Sequence, residues 1–220
     1  MSQQNESPPP SLIYFGDPMC SWCYGFGPVL HQISLAYPDI PLVCVMGGLR
    51  PGPHAEKLDQ RLRRFLRQEW GQIAEVTGRP FGYAILEKEN FLYNTEPASR
   101  ALVVCRRARP DKLLDFLDAL QTAFYRDGRD ITEPDTLSDI YASTGCGHAK
   151  EFLTAWAGAA AIQETQGDFQ FAQSVGMTAF PSLVYAREGK GQLLCRGYLP
   201  FAEISSRIDQ VRNSVRESAN

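Results

Sequence analysis

A Cys-x-x-Cys pair placed between a short apolar run and an amphipathic stretch restricts the fold of this chain more than any other feature. Leu12-Ile13-Tyr14-Phe15 is apolar and β-favouring, Gly16-Asp17-Pro18 interrupts it, and Cys20-Ser21-Trp22-Cys23 follows at once. From Cys20 to about Tyr37 the pattern turns helical, with Phe26, Val29, Leu30 and Ile33 at spacings of three and four, until Pro38 closes it. Leu42-Val43-Cys44-Val45-Met46 then reads as a buried strand ended by Gly47-Gly48. Strand, helix and strand make a βαβ unit, so the two strands are parallel and the crossover is right-handed.

That placement gives the cysteines unequal roles. The sulfur of Cys20 faces the unpaired N–H groups and positive dipole end of the helix, surroundings that favour a thiolate over a thiol. Cys23 lies one turn further in, and a spacing of three brings the two residues within disulfide reach. The expectation is an exposed, nucleophilic Cys20 and a Cys23 close enough to resolve a mixed disulfide. Trp22 between them is an exposed apolar group that shields the disulfide or touches substrate. The rival is half of a zinc site, but such sites want four ligands and the sequence has no second Cys-x-x-Cys. Cys146-Gly147-His148 completes a set only on paper.

Residues 55 to about 175 read as helices. One carries Leu62, Phe65, Leu66, Trp70 and Ile73 on a single face and stops at Gly78 and Pro80. Thr95 caps the next, with Pro97 in its first turn, and this helix ends before Pro110. A third holds Leu113, Leu117, Leu120 and Phe124 and ends at Gly128. Thr132-Glu133-Pro134-Asp135 resembles a capping box for a fourth. His148 to Val175 is a further helical stretch, broken near Gly158 or Gly167. Ser182–Tyr185 and Leu193–Arg196 then flank a hairpin signal at Glu188-Gly189-Lys190-Gly191, and a closing helix starts near Phe201 with Ile204, Ile208 and Val211 on one side. The order βαβ, helices, ββα predicts a four-stranded mixed sheet with a helical insertion.

Composition narrows the function classes. Of 220 residues 44% are hydrophobic and 21% charged, and the formal charge is −3, so no basic nucleic-acid surface is expected. Arg61-Leu62-Arg63-Arg64 lies in an amphipathic pattern and reads as a solvated face. No stretch approaches the ~20 apolar residues of a membrane span. The first ten residues lack the features of a signal peptide, read as a disordered polar tail, and make a cytoplasmic protein the expectation. Six cysteines are too sparse for a disulfide scaffold. Cys44, Cys105 and Cys195 read as core, and Cys146, between Gly145 and Gly147, is the best candidate for an additional exposed thiol.

A second signature is Gly176-Met177-Thr178-Ala179-Phe180-Pro181-Ser182-Leu183, where a proline opens a strand although it cannot donate to the ladder. Taken alone it reads as an edge-strand proline. Together with Cys20-Ser21-Trp22-Cys23 and Pro28, however, it resembles the thioredoxin superfamily, in which this proline is cis and packs against the active-site disulfide. The helical insertion narrows the resemblance to the DsbA family. Asp17-Pro18-Met19-Cys20-Ser21-Trp22-Cys23-Tyr24-Gly25-Phe26, Gly47-Gly48-Leu49-Arg50-Pro51-Gly52 and Asn94-Thr95-Glu96-Pro97-Ala98 are similar to cytosolic DsbA-like proteins of the FrnE type.

The resemblance covers about residues 11 to 212 and implies an α/β thioredoxin-like fold built from 11–54 and 176–215, with 55–175 as an inserted helical subdomain. It implies a protein disulfide oxidoreductase or isomerase with Cys20, Cys23 and Pro181 as catalytic residues. Trp22, Tyr24, Ala179 and Phe180 would bind substrate, with Phe26 either beside them or in the core. The expected partners are protein or peptide thiols and disulfides, with glutathione or a thioredoxin-type protein as redox partner, and no cofactor, metal or nucleic acid. The chain departs from the family in two places. Tyr14 stands six residues before Cys20, where many members have a buried acid, and Ser21-Trp22 replaces the commoner central dipeptides. Two other classes stay open: a small-molecule enzyme on the same fold, such as a glutathione-dependent kappa-class transferase or 2-hydroxychromene-2-carboxylate isomerase, and a metal-binding non-catalytic module. The transferase and isomerase relatives usually replace the first cysteine by serine and lose the second, whereas this chain keeps both.

Overall fold

The computed structural model describes residues 9–217; the expectation of a disordered tail over residues 1–10 lies mostly outside them. β1 (Ser11–Gly16), α1 (Ser21–Ala36) and β2 (Leu42–Met46) form the expected unit, β1 pairing parallel to β2 from Leu12↔Leu42 to Gly16↔Met46. The chain returns to the sheet at β5 (Ser182–Arg187), antiparallel to β1, and β6 (Lys190–Arg196) completes the order β2-β1-β5-β6. Glu188 and Gly189 join β5 to β6 with φ of 52° and 73°, the left-handed conformation that a two-residue hairpin turn demands. α8 (Phe201–Glu217) closes the chain.

Alternation along the strands fixes what covers each face. Leu12 and Tyr14 of β1, Cys44 and Met46 of β2 and Leu183 and Tyr185 of β5 join a core cluster with Phe26, Val29, Leu30 and Ile33 of α1 and Ile204 and Ile208 of α8. The opposite face presents Phe15, Val45 and Val184 to Ala172, which belongs to α7 (Ala159–Ser174).

Between the sheet halves run β3 (Glu56–Lys57), α2 (Gln60–Thr77), β4 (Leu92–Tyr93), α3 (Glu96–Ala108), α4 (Leu113–Tyr125), α5 (Pro134–Ser143), α6 (Ala149–Ala157) and then α7. β3 and β4 form a two-stranded ribbon that helical periodicity did not foresee. The break falls at Gly158, while Gly167 continues inside α7.

Three local expectations are corrected. Phe65 is 52% exposed and leaves the apolar face of α2 to Leu62, Leu66, Trp70 and Ile73. Thr95 precedes α3, but its hydroxyl accepts from the Arg50 N–H at 3.2 Å and so serves a neighbouring loop rather than its own helix. The box before α5 does not form: Glu133 is the residue preceding the helix, and the Thr132 hydroxyl donates to Asp130 Oδ1 at 2.6 Å.

An ion-pair knot locks the helical part to the sheet. Arg106 of α3 donates to the Cys44 carbonyl at 2.6 Å and pairs with Asp168 (2.7 Å) and Glu164 (3.0 Å) of α7, while Asp168 also accepts from the Met46 N–H.

Candidate active site

β1 ends at Gly16, and a single carboxylate organises the turn into α1. Asp17 Oδ1 accepts from the Met19 N–H two residues on, an Asx turn, while Oδ2 accepts from the Leu49 N–H beyond β2, both at 2.8 Å. Its carbonyl accepts from the Cys20 N–H at 3.1 Å. Asp17 is fully buried, and burial raises its carboxyl from 3.8 to about 6 against the pull of those two N–H groups. A third tie comes from the helical part, where the Tyr93 hydroxyl donates to the Met19 carbonyl at 2.7 Å.

The turn delivers Cys20 to the position preceding α1, in extended backbone (φ −90°, ψ 118°). Both cysteines of the pair are free thiols. Cys20 is only 6% exposed, which corrects the expectation of an open nucleophile; its thiol donates to the Phe180 carbonyl at 3.6 Å. Cys23 has no exposure at all. Burial, reinforced by the adjacent Cys20 sulfur, pushes the Cys23 thiol well above its ordinary value, while the Tyr14 hydroxyl and the Asp17 backbone N–H pull the other way.

Tyr14 fills the space below the pair, its ring stacked on Phe26 at 6.2 Å. Its hydroxyl is buried without a hydrogen bond of good geometry, and burial holds the phenol protonated far above its usual range. It therefore cannot accept protons at neutral pH as a carboxylate could.

Opposite Cys20, the Phe180–Pro181 bond is cis, as the family resemblance implied. The Ser182 hydroxyl donates to the Ala179 carbonyl at 2.7 Å, and the Gly197 N–H donates to the Pro181 carbonyl at 2.7 Å, so both sides of the loop are held. The Phe180 ring lies over Gly47, where a Cβ would come within 2.1 Å of it; only glycine admits the ring there. Phe180 divides two open grooves. One, of about 390 Å³, is lined by Trp22, Val76, Gly197 and Tyr198. The other, of about 450 Å³, is lined by Gly47 to Pro51, His54, Glu56, Gln173, Met177 and Thr178.

The structure thus gathers most of the residues singled out in the sequence. Trp22 is half-buried beside Tyr198, with ring centroids 6.1 Å apart, Phe180 is half-buried, and Ala179 is exposed on the proline loop. Tyr24 does not join them. It is a buried residue of α1, stacked on Tyr125 at 4.9 Å, covered by the Arg79 guanidinium at 3.9 Å, and its hydroxyl donates to the Pro80 carbonyl. Phe26 is likewise core.

Cys146 is also displaced from its expected role: it is 3% exposed and lies with its sulfur 3.8 Å from that of Cys105, so it is not an open thiol. Among the described residues no group of three or more His, Cys, Asp and Glu side chains is arranged to hold a metal. Sequence reasoning missed Asp17 and Tyr198. The first had a legible signal, a lone carboxylate between an apolar strand and a proline; the second had none.

A family model described as the DSBA-like thioredoxin domain matches residues 11–209. A crystal structure of a candidate protein disulfide isomerase from Nitrosomonas europaea is 30% identical, covers 94% of this chain and 99% of its own, and superposes with a TM-score of 0.86. The cytosolic disulfide reductase DsbM from Pseudomonas aeruginosa, in its structure with GSH, is 25% identical over 92% of this chain and 99% of its own, with a TM-score of 0.75. Among curated proteins no relative matches. No helix among the described residues is long and apolar enough to cross a membrane.

Proposed function

The chain belongs to the DSBA-like thioredoxin domain family, and on that premise we propose that it reduces and isomerises disulfides of proteins and peptides through Cys20 and Cys23, with glutathione as its redox partner. The observation that carries this reading is the thiol of Cys20 at a helix start, 3.6 Å from the carbonyl that precedes the cis Pro181.

In the first step the Cys20 thiolate attacks one sulfur of a substrate disulfide. A Cys20–substrate disulfide forms, and the departing substrate thiolate takes up a proton. Cys23 then loses its proton and attacks the Cys20 sulfur, forming the Cys20–Cys23 disulfide and releasing the second substrate thiol. Two glutathione thiols return the pair to the dithiol and leave as one glutathione disulfide. Isomerisation is the same first step reversed by another thiol of the substrate, before Cys23 acts. Burial keeps Cys23 protonated and so delays the second step, which favours isomerisation.

Substrate binding falls to Trp22, Ala179 and Phe180. The exposed Ala179 and the two grooves beside Phe180 suit an extended peptide. Arg50, which pairs with Glu56 at 3.0 Å, and His54 line the second groove and offer donors to glutathione. The similar DsbM protein is a cytosolic reductase solved with GSH, which supports both the partner and a cytoplasmic setting. In this reading 11–54 and 176–215 form the catalytic thioredoxin-like part, and 55–175 is an inserted helical unit that buttresses the cysteine turn through Tyr93.

The test is the equilibrium reduction potential of the pair against a glutathione buffer. A value near the cytosolic glutathione poise, roughly −220 to −260 mV, supports reduction and isomerisation; one near about −120 mV would make the protein an oxidant instead.

A further inference from the structure

Outside the active site, two cysteines 41 positions apart in sequence meet sulfur to sulfur. Cys105 lies in the last turns of α3, and Cys146 in the loop between α5 and α6; their sulfurs are 3.8 Å apart and both are buried. Each sulfur has its own local setting. Cys105 donates to the Arg109 carbonyl at 3.7 Å, and Cys146 sits 3.2 Å from the Thr144 hydroxyl. Arg109 in turn donates to the Gly145 carbonyl at 2.9 Å, so the end of α3 holds the loop that carries Cys146. Gly145 and Gly147 flank Cys146 with φ of 71° and 148°, and a Cβ on Gly145 would meet nothing within 4 Å. The loop can therefore adjust its backbone at both neighbours of the cysteine, and the sulfurs need to approach by less than ~2 Å to reach bonding distance.

We propose that Cys105 and Cys146 are a second dithiol–disulfide couple, which a low-molecular-weight disulfide such as oxidised glutathione closes to staple α3 to the α5–α6 loop. Cys146 is the entry point, because Cys105 is wholly covered and burial keeps its thiol protonated far above the ordinary range. The Cys146 sulfur attacks the disulfide, forming a Cys146–glutathione bond and releasing one glutathione, which takes the proton. The Cys105 sulfur then attacks that of Cys146, gives up its own proton, and expels the second glutathione. Two protein thiols and one glutathione disulfide become one protein disulfide and two glutathione thiols. Burial makes this couple slower to close than an accessible one, so it registers sustained oxidation, not a single turnover. The inference stands apart from the reading of Cys20 and Cys23.

The test equilibrates the full chain in glutathione buffers from fully reduced to fully oxidised, alkylates the remaining thiols and digests with trypsin without reductant. Residues 101–106 contain Cys105, residues 130–150 contain Cys146, and the active-site cysteines fall in a separate fragment. The expected result is fragments 101–106 and 130–150 joined by a disulfide in the oxidised buffers. Both fragments alkylated in every buffer, or Cys146 trapped as a glutathione adduct, would overturn the proposal. Thermal unfolding gives an independent readout. Oxidation should raise the Tm of the native chain by roughly 5–10 °C more than that of Cys105→Ala or Cys146→Ser, since only the native chain closes a loop of about 40 residues. Both variants keep Cys20 and Cys23 and so carry the same contribution from that pair; an equal rise in either variant would contradict the staple.

Discussion

Replacing Asp17 by asparagine tests how the cysteine turn is held. The wild-type carboxylate serves two N–H groups at 2.8 Å in a site without solvent exposure. Asparagine keeps the size but offers one oxygen, and turns its own N–H toward the second donor, which costs roughly 1–3 kcal/mol for the donor left unpaired. The pH dependence is the sharper signal. Burial raises the carboxyl from 3.8 to about 6 in the fold, so between those values the folded chain holds its proton more tightly than the unfolded chain. Stability from this group is therefore full below pH ~4 and is lost as pH rises through ~6. The distance from 3.8 to about 6 is worth about 3 kcal/mol at ~1.4 kcal/mol per pH unit, of which about 2 kcal/mol falls between pH 4.5 and 7.5. Urea unfolding of both proteins across that range isolates it, because the other carboxyls cancel in the difference. The stability advantage of wild type over Asp17→Asn should shrink by about 2 kcal/mol from pH 4.5 to 7.5. A difference that stays flat, or grows with pH, would refute the reasoning.

Other substitutions separate support from substrate contact. Tyr24→Phe removes only the bond to the Pro80 carbonyl, so it should cost about 1 kcal/mol in urea unfolding and leave KM for a peptide disulfide within about twofold; a tenfold rise in KM would return Tyr24 to the substrate surface. Gly47→Ala drives a Cβ into the Phe180 ring, so kcat/KM should fall on the order of tenfold, with about 1–3 kcal/mol lost in stability; unchanged kinetics would show that the proline loop moves freely. Arg106→Met removes the cation shared by Asp168, Glu164 and the Cys44 carbonyl, leaving Asp168 with the Met46 N–H and Glu164 with Arg107, and should lower stability by about 2–4 kcal/mol, whereas a loss under ~0.5 kcal/mol would show the knot to be ornamental.

The fold was legible wherever side-chain periodicity and turn chemistry agree. Leu12 to Phe15 is an unbroken β-favouring apolar run, legible as a strand because both its faces are covered: Leu12 and Tyr14 by the core under α1 and α8, Ile13 and Phe15 by the cluster that includes Ala172. Tyr24 shows where that logic stops. An aromatic side chain beside a reactive cysteine has the same sequence signature whether it faces substrate or an aromatic core, and only packing against Phe81 and Tyr125 decides. Cys146 misled for a related reason: flanking glycines mark a turn, and turns are usually exposed, but here Arg109 draws the turn onto α3. Thr95 and Thr132 carried genuine capping chemistry that other partners took instead: Arg50, 45 positions away, and Asp130, only two positions back. Asp17 joins segments 32 residues apart, a pairing no local pattern contains.

The central claim, that Cys20 attacks and Cys23 resolves, is tested most directly by trapping. Cys20→Ser and Cys23→Ser variants are each incubated with a disulfide-bearing protein and run on non-reducing gels. The unequal burial of the pair predicts mixed-disulfide adducts that accumulate with Cys23→Ser and are absent with Cys20→Ser. Adducts with Cys20→Ser alone would reverse the roles, and full turnover by both variants would remove the pair from the chemistry altogether.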